Sequence, residues 1–224
     1  MLCLYQPCLP TRAPVAPTGE NWIHEIKHDG FRIVARRIGG VVRLQTKQGY
    51  DYAKRYPLIV EAIARLKVKS IVIDGEAMCF TGVMHDFDKL WNRTHDHEAK
   101  LCAFDLLELD GEDYRPKPLI ERKKRLLKLL RQQWGGIEYV EHLEGDGAII
   151  FEHACKLGLE GIVSKRIDLK YQPGPSKSRL KVKNKKHPAM LRAKEAFERE
   201  RMVNVDNDHP PMAKYQSPPK NLHR

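Results

Sequence analysis

Short segments in which apolar residues alternate or cluster predict β-strands along much of the chain. WIHEI (22–26), FRIVARRI (31–38) and VVRLQT (41–46) follow one another near the start. Gly39-Gly40 separates the second segment from the third, and two glycines at this spacing are typical of a tight hairpin turn. We therefore predict that the chain opens with an antiparallel meander. Further strands are predicted over 70–79, 101–109, 161–166 and 178–184.

Apolar residues spaced three and four positions apart predict helices between these strands. Pro57 begins one such stretch, PLIVEAIARLK, and proline favours the first turn of a helix because its fixed φ suits that position. Helices are also predicted over 119–134, 146–157 and 189–201. This order of elements predicts an α+β fold with mainly antiparallel sheets and flanking helices.

The distribution of proline and charge divides the chain into three parts. Residues 1–20 are rich in proline and are predicted to form an extended N-terminal strap. Residues 21–186 are long enough to bury one good core and are predicted to form a single domain. Residues 187–224 are predicted to be a charged helix followed by a disordered polar tail.

Charge and cysteine content restrict the partners and the compartment. The 224 residues include 40 Lys+Arg and 29 Asp+Glu, a net charge of +11 at pH 7. This excess favours a polyanionic partner, which could be nucleic acid, nucleotide phosphates or a membrane surface. No apolar run approaches the ~18 residues of a transmembrane helix, so no membrane span is expected. The five cysteines form no Cys-x-x-Cys pair or Cys/His cluster, which argues against a zinc site and favours a reducing cytoplasm.

Two polar segments interrupt apolar strands and could carry chemistry. Lys27 comes at a strand end, just before the turn His28-Asp29-Gly30, and an amine shielded from water there can become a nucleophile. An ordinary solvated turn is the alternative interpretation. Asp74 and Glu76 lie in an apolar strand and would suit Mg²⁺ or ribose hydroxyls, unless Asp74-Gly75 is a bulge that faces solvent.

Two later strands combine charges in a similar way. Glu160 precedes a strand that ends in Lys165-Arg166, so these residues could hold a metal ion and meet phosphates, or form a surface ion-pair network. Lys181 and Lys183 share one face of a strand, and an anion between them would relieve their repulsion. An exposed edge strand protected by lysines is the alternative.

In their order along the chain, KxDGxR, DGE, FDLLELDG, EGIVSKR and LKVK resemble the motifs of covalent nucleotidyltransferases: ATP-dependent DNA ligases, RNA ligases and mRNA capping enzymes. The likeness is greatest to the ligase module of bacterial end-joining ATP-dependent DNA ligases. It includes PCLPTRAP, WIHEIKHDGFR, IDGEA, AFDLLELDG, ERKKRL, GLEGIVSKR and KVKN, and covers roughly residues 5–195. The resemblance implies the covalent nucleotidyltransferase fold, an ATP-grasp-like adenylation domain.

The resemblance also implies an activity and its nucleotide site. Lys27 would attack the α-phosphorus of ATP to form lysyl-AMP, and the AMP would pass to a DNA 5′-phosphate before a 3′-hydroxyl displaces it. By motif position, Glu25 and Ile26 would lie near the adenine and Arg32 near the ribose. Phe104 would stack on the adenine, although a phenylalanine in such a strand more often fills a core.

Metal and phosphate contacts are implied in the same way. Glu160 would bind Mg²⁺ (or Mn²⁺), and Glu76 would take the metal or a ribose hydroxyl. Lys181 and Lys183 would contact the α-phosphate. Lys47 would contact phosphates at a position where the family usually has an arginine, which can bind bidentately whereas a lysine cannot.

Partners and location follow from the resemblance too. The expected substrates are ATP and nicked or broken duplex DNA, and a separate OB-fold or end-joining protein is an expected partner. The expected location is the bacterial cytoplasm, in association with the nucleoid.

Two further departures from the family pattern leave alternatives open. Arg179 stands where the family usually has an aromatic residue, just before the LKVK strand. The residues after Lys183 are too few for an OB-fold domain, so an adenylation domain without that fold is expected. A catalytically weak DNA end- or nick-binding accessory protein, or an RNA ligase-type nucleotidyltransferase, is the alternative function.

Overall fold

The structure is a computed structural model of the chain, and it describes residues 5–81, 84–85, 87–131, 135–188 and 190. The chain divides into two compact units, Met1–His187 and Pro188–Arg224. Nearly all of the second unit, including the helix predicted over 189–201 and the polar tail, lies outside the described residues. The division into strap, domain and tail stays a prediction.

Thirteen strands are described: β1 (Cys8–Arg12), β2 (Trp22–Ile26), β3 (Phe31–Ile38), β4 (Val41–Thr46), β5 (Ile71–Met78), β6 (Phe80–Thr81), β7 (Met84–His85), β8 (Lys100–Leu109), β9 (Glu112–Asp113), β10 (Ile137–Tyr139), β11 (Leu143–Glu144), β12 (Gly161–Arg166) and β13 (Gly174–Lys183). The helices are α1 (Pro57–Arg65), α2 (Phe87–Trp91), α3 (Leu119–Leu130) and α4 (Gly147–Lys156), with a 3₁₀ turn at Asp96–Glu98.

Two sheets form the body of the molecule. One has the strand order β1-β13-β12-β2-β11, and the other has the order β10-β8-β5-β3-β4 with β9 paired to β8. The pairs β1–β13 and β10–β8 are parallel, and the other pairs of these two sheets are antiparallel. The predicted α+β class with mainly antiparallel sheets is therefore confirmed. Within the described residues, no helix is both long and apolar enough to cross a membrane.

The predicted opening meander is correct for its second connection and wrong for its first. β3 and β4 form the expected hairpin, in which Gly39 and Gly40 both adopt positive φ (56° and 80°). β2, however, pairs with β12 and β11 in the other sheet. The segment 27–30 therefore crosses from one sheet to the other. It passes so close to β5 that a Cβ on Gly30 would lie 2.3 Å from the Ala77 carbonyl oxygen, which only glycine avoids.

The main apolar core lies between the second sheet and helices α1 and α3. It includes Ile33, Ile59, Ile63, Ile73, Leu106 and Leu126. Helix α4 covers the first sheet, where Ala154 packs with Ile162 and Val182. Part of the predicted N-terminal strap belongs to this sheet, since β1 lies beside β13. Helix α3 ends at Leu130, before the predicted boundary, and residues 132–134 lie outside the described part of the chain.

A buried polar network joins the two sheets. Asp74 on β5 and Asp105 on β8 are paired neighbours, and both are 0% exposed. Arg122 from α3 donates two hydrogen bonds to Asp105, at 2.7 and 3.0 Å, and Arg179 from β13 donates another. Burial by itself raises the pKa of Asp105, but these two arginines outweigh it and hold the pKa far below its ordinary value.

This network predicts a large stability effect. Asp105→Asn leaves two arginines without their buried counter-charge, so we expect the free energy of unfolding to fall by about 3–5 kcal/mol. Urea denaturation measures this change. The matched control is Asp113→Asn, because Asp113 forms an exposed pair with Arg115 and should cost less than ~1 kcal/mol. Similar small losses in both variants would contradict a structural role for the network.

Candidate functional site

A pocket opens between the two sheets where the chain crosses from β2 to β3. Several elements contribute to its wall: β2, the crossing segment, β3, β5, β8, β12 and β13. The residues predicted for the site that line it are Glu25, Ile26, Lys27, Arg32, Glu76 and Phe104. Residues far apart in sequence therefore meet at one place, as the motif order implied.

Lys27 is fixed at the pocket by its backbone and by its amine. Its amide donates to the Gly161 carbonyl at 2.9 Å, which ties the start of the crossing segment to β12. Its Nζ donates to Glu160 Oε2 at 2.6 Å and to the His28 carbonyl at 3.2 Å. Glu160 is buried, and its second oxygen is paired with Lys183 Nζ at 2.9 Å. Two predicted lysines thus share the predicted metal-binding carboxylate.

The predicted phosphate-contacting lysines are electrostatically coupled to one another. Burial lowers the pKa of Lys181, and repulsion from Lys27, Lys183 and Lys47 lowers it further. The charge of Lys47 therefore acts on Lys181, although Lys47 follows β4 in the second sheet and is exposed. Lys27 and Lys183 contact Glu160, and the charge of Lys181 lies close to both of them, which favours binding of a polyphosphate.

Phe104 lines the pocket and is only 6% exposed. The Arg32 guanidinium lies 4.3 Å from its ring centroid and the Lys165 ammonium lies 4.2 Å from it. Arg32 also donates to both oxygens of Asp74, at 2.6 and 2.8 Å. The pocket therefore offers an aromatic surface next to cations whose positions are set by buried partners.

Two buried ion pairs fix the side chain of Glu25, which its motif position did not indicate. Lys123 from α3 donates to its Oε1 at 2.6 Å, and Lys165 donates to its Oε2. Burial alone would raise the pKa of Glu25, but these two ion pairs outweigh it and lower the pKa. The carboxylate is consequently ionised and fixed in orientation.

Two residues of helix α3 that support the site were not identified from the sequence. The sequence predicts a helix over 119–134 and assigns no role to Arg122 or Lys123, yet both are buried. Their spacing from Leu119 and Leu126 places them on the apolar face of α3, and this was the signal that could have identified them.

From the sequence, Lys165 and Arg166 could both meet phosphates or both belong to a surface ion-pair network. In the structure the two side chains have different partners. Lys165 points inward to Glu25, whereas Arg166 pairs with Asp168 on the protein surface. Consecutive strand residues face opposite sides of a sheet, so the two side chains cannot reach the same group.

Glu76 and Asp74 lie on the same face of β5, two residues apart. The alternative of a bulge with both carboxylates in solvent is wrong, because Asp74 is fully buried in the network between the sheets. Burial raises the pKa of Glu76 to about 7, and the nearby Asp74 and Glu160 carboxylates contribute while Arg32 and Lys27 oppose them. Burial is thus the main cause of the raised pKa of Glu76.

The predicted metal-binding residues fit Mg²⁺ only in a limited way. Across the described ranges, no three His, Cys, Asp or Glu side chains are grouped closely enough to enclose a metal ion. The Glu160 carboxylate nevertheless lies near enough to Glu76 to raise the pKa of Glu76. Mg²⁺ is commonly bound by one or two carboxylates together with substrate phosphates and water, and this pair matches that type of site.

Comparison with known proteins gives a consistent family. The family model described as "ATP dependent DNA ligase domain" matches residues 8–185. The multifunctional non-homologous end joining DNA repair protein LigD of Mycobacterium tuberculosis H37Rv is 35% identical over 170 residues, which is 75% of this chain and 22% of that protein. LigD of Pseudomonas aeruginosa is 34% identical over 172 residues, which is 75% of this chain and 20% of that protein.

Solved structures agree with the sequence matches. The ligase domain of M. tuberculosis LigD superposes with a TM-score of 0.71 at 34% identity, covering 80% of this chain and 59% of that one. A mycobacterial DNA ligase D complexed with ATP and MES superposes with a TM-score of 0.70, covering 80% of this chain and 60% of that one. The two LigD proteins named above are much longer than these solved domains, and the chain spans about a fifth of the length of those curated relatives.

The raised pKa of Glu76 predicts how stability depends on pH. The folded-state pKa of about 7 exceeds the ordinary value of 4.5, so the Glu76 contribution is intact below pH 4.5 and is lost as pH rises through 7. Glu76→Gln should therefore gain about 1–2 kcal/mol over wild type between pH 5 and pH 8. Denaturant unfolding at several pH values measures this, with exposed Glu138→Gln as the control. Parallel curves for wild type and Glu76→Gln would rule out the raised pKa.

Proposed function

The chain belongs to the ATP-dependent DNA ligase family, and we propose that it is an adenylation domain that activates broken DNA ends for joining. The observation that carries the proposal is the position of Lys27. Its amine lies 2.6 Å from the buried Glu160, Lys27 lines the pocket, and Lys183 contacts the same carboxylate. This arrangement supplies a nucleophile, a nucleotide pocket and phosphate-binding charges in one place.

The proposed chemistry proceeds in three transfers. The Lys27 nitrogen forms a bond to the α-phosphorus of ATP while the bond to pyrophosphate breaks. An oxygen of a DNA 5′-phosphate then attacks the same phosphorus, and the lysine nitrogen leaves and recovers its proton. Finally a DNA 3′-hydroxyl attacks the 5′-phosphate, AMP leaves, and the strand is sealed. Each step is an in-line displacement that depends on positioning and on charge stabilisation.

The nucleotide is proposed to occupy the pocket with its base against Phe104. Glu25 would accept a hydrogen bond from the adenine amino group, and the clamps from Lys123 and Lys165 keep its oxygens in place for this contact. Ile26 would line the adenine pocket. Arg32 would contact the ribose, since its guanidinium lies at the pocket while Asp74 anchors it.

Phosphate binding is proposed for Lys47, Lys181 and Lys183. The last of these is paired with Glu160, as is Lys27. Lys27 and Lys183 thus flank the carboxylate proposed to bind Mg²⁺. Mg²⁺ bound at Glu160 and Glu76 would supply charge stabilisation for the phosphates.

The wider activity is part of the same proposal, because the curated relatives are much longer than this chain. DNA with a nick or a break is the proposed acceptor of AMP, in keeping with the net charge of +11 and with the end-joining names of the relatives. A separate OB-fold or end-joining protein is the proposed partner. We place the protein in the cytoplasm, with the nucleoid.

Lys27 is the residue that tests the activity. When the full chain is incubated with ATP and Mg²⁺ or Mn²⁺, its intact mass should increase by one AMP. Lys27→Ala should abolish this gain. Lys27→Arg should also fail because an arginine stays protonated at any working pH. Exposed Lys170→Ala is the control and should label like wild type. GTP and RNA ends are run in parallel, since labelling by GTP or transfer to RNA alone would favour a capping or RNA ligase-type activity.

Absence of any covalent nucleotide on the wild-type chain would contradict the proposal. In that case, retained binding of nicked DNA would favour the accessory protein without catalysis.

Glu160→Gln separates a metal-binding role from a structural one. We expect lysyl-AMP formation to slow by at least about 100-fold, because the phosphates lose their proposed metal site. Stability should fall by less than ~2 kcal/mol, since Lys27 and Lys183 have 19% and 22% exposed side chains and can turn toward water. Single-turnover labelling and urea denaturation measure the two effects. Unfolding with an unchanged labelling rate per folded molecule would favour a structural ion pair.

A further inference from the structure

A second groove lies outside the nucleotide pocket, between the end of β1, helix α4 and the end of β13. Its cationic residues are Arg12, Lys156, Lys183, Lys185 and Lys186. Among the described residues that line it, Glu152 is the single acid, and this acid is already paired with Lys156 at 2.7 Å. The groove is therefore strongly positive over an apolar floor that includes Phe151 and Val182.

Lys183 links the groove to the proposed catalytic site. This lysine lines the groove and also pairs with Glu160 Oε1 at 2.9 Å, while Glu160 Oε2 contacts Lys27. A single carboxylate thus separates the nucleophile from the first cation of the groove.

The cations beyond Lys183 are carried on an ordered turn. The Asn184 side chain donates to the Leu159 carbonyl at 3.0 Å, and its amide donates to the Glu160 carbonyl at 2.8 Å. Its Oδ1 accepts from the Lys186 amide at 3.0 Å. These contacts fix the backbone of Lys185 and Lys186, whose side chains are exposed. Their charges are therefore presented at a fixed place rather than on a loose end.

We propose that this groove binds the phosphates of duplex DNA beside the break and so brings the DNA end to Lys27. The inference rests on the proposed function and adds to it the surface that receives DNA. The cations come from three different elements and lie along a groove, which suits a row of phosphates better than a single nucleotide. Five of the lining residues are lysine or arginine, and these side chains contact phosphates irrespective of sequence.

Cys155 provides a reporter inside the groove. It lines the groove and is partly exposed, whereas the other described cysteines, Cys8, Cys79 and Cys102, are buried. Cys3 lies outside the described residues, so the experiment uses the full chain with Cys3→Ser. Burial raises the pKa of the Cys155 thiol, so alkylation is followed at mildly alkaline pH. Saturating nicked duplex should slow alkylation several-fold, and ATP alone should not. An unchanged rate with DNA bound would overturn the proposal.

Charge reversal tests the same surface independently. Lys185→Glu/Lys186→Glu should weaken binding of a nicked duplex at least about tenfold, and should reduce the slope of log K against log salt by about 2, at about 0.9 per lost phosphate contact. The matched control is Lys67→Glu/Lys69→Glu, which reverses two exposed lysines in the connection between α1 and β5. Both variants have the same net charge, so equal losses would indicate diffuse electrostatics and overturn the groove assignment.

Lysyl-AMP formation, measured on the same samples, separates this inference from the proposed function. None of the four substituted lysines lines the nucleotide pocket, so both double variants should acquire AMP at the wild-type rate. If the wild-type chain forms no lysyl-AMP, the proposed catalysis fails, while protection of Cys155 by DNA still decides the groove. If lysyl-AMP forms but DNA does not protect Cys155 and DNA binding does not depend on Lys185 and Lys186, the groove assignment is wrong and the proposed catalysis stands.

Discussion

Two aspartates buried side by side impose the main constraint on this molecule. Asp74 and Asp105 are neighbours on adjacent strands of one sheet, with no access to water. Two like charges in an apolar interior are tolerated only if cations meet them. Arg122 comes from the covering helix, and Arg179 comes from the opposite sheet. The neutralisation of these charges therefore also determines how the two sheets come together.

The same network also forms part of the pocket between the two sheets. Arg32 and Arg179 each contact a buried aspartate and also line the pocket. Tyr171 donates to Asp74 at 2.7 Å and accepts from the Cys8 amide at 2.7 Å, which ties β1 into the arrangement. Folding and site formation share these residues, so a loss of activity at any of them is interpretable only beside a measurement of stability.

The sequence was informative where a signal is local. Alternating apolar residues located β3, β5, β8, β12 and β13, and the paired glycines located the β3–β4 hairpin. Strands of two or three residues, such as β9, β10 and β11, carry too little pattern to be found. The pairing of β2 with β12 was missed because no local sequence pattern specifies it. The two strands are far apart in the chain, and Glu25 and Lys165, which form an ion pair across them, are separated by 140 positions.

The candidate site shows the same division. The motif order brought Lys27, Glu76, Phe104 and Glu160 into consideration, but not the partners that orient them. Arg179 was regarded as a departure from the family pattern, because an aromatic residue is usual there. In the structure it is buried against Asp105, with its guanidinium 5.0 Å from the Tyr171 ring centroid. The substitution thus adds a positive charge where a buried acid can use it.

Strand β13 connects these features. It lies inside its sheet, with β1 on one side and β12 on the other, and both neighbours pair with it at Leu180 and Lys181. Arg179, Lys181 and Lys183 occupy alternate positions and share one face, so their Cα atoms follow one another at intervals of about 7 Å. The first is locked in the buried network and the last reaches Glu160. These cations are therefore preorganised when the sheet forms, and an arriving phosphate needs only side-chain adjustments to be bound.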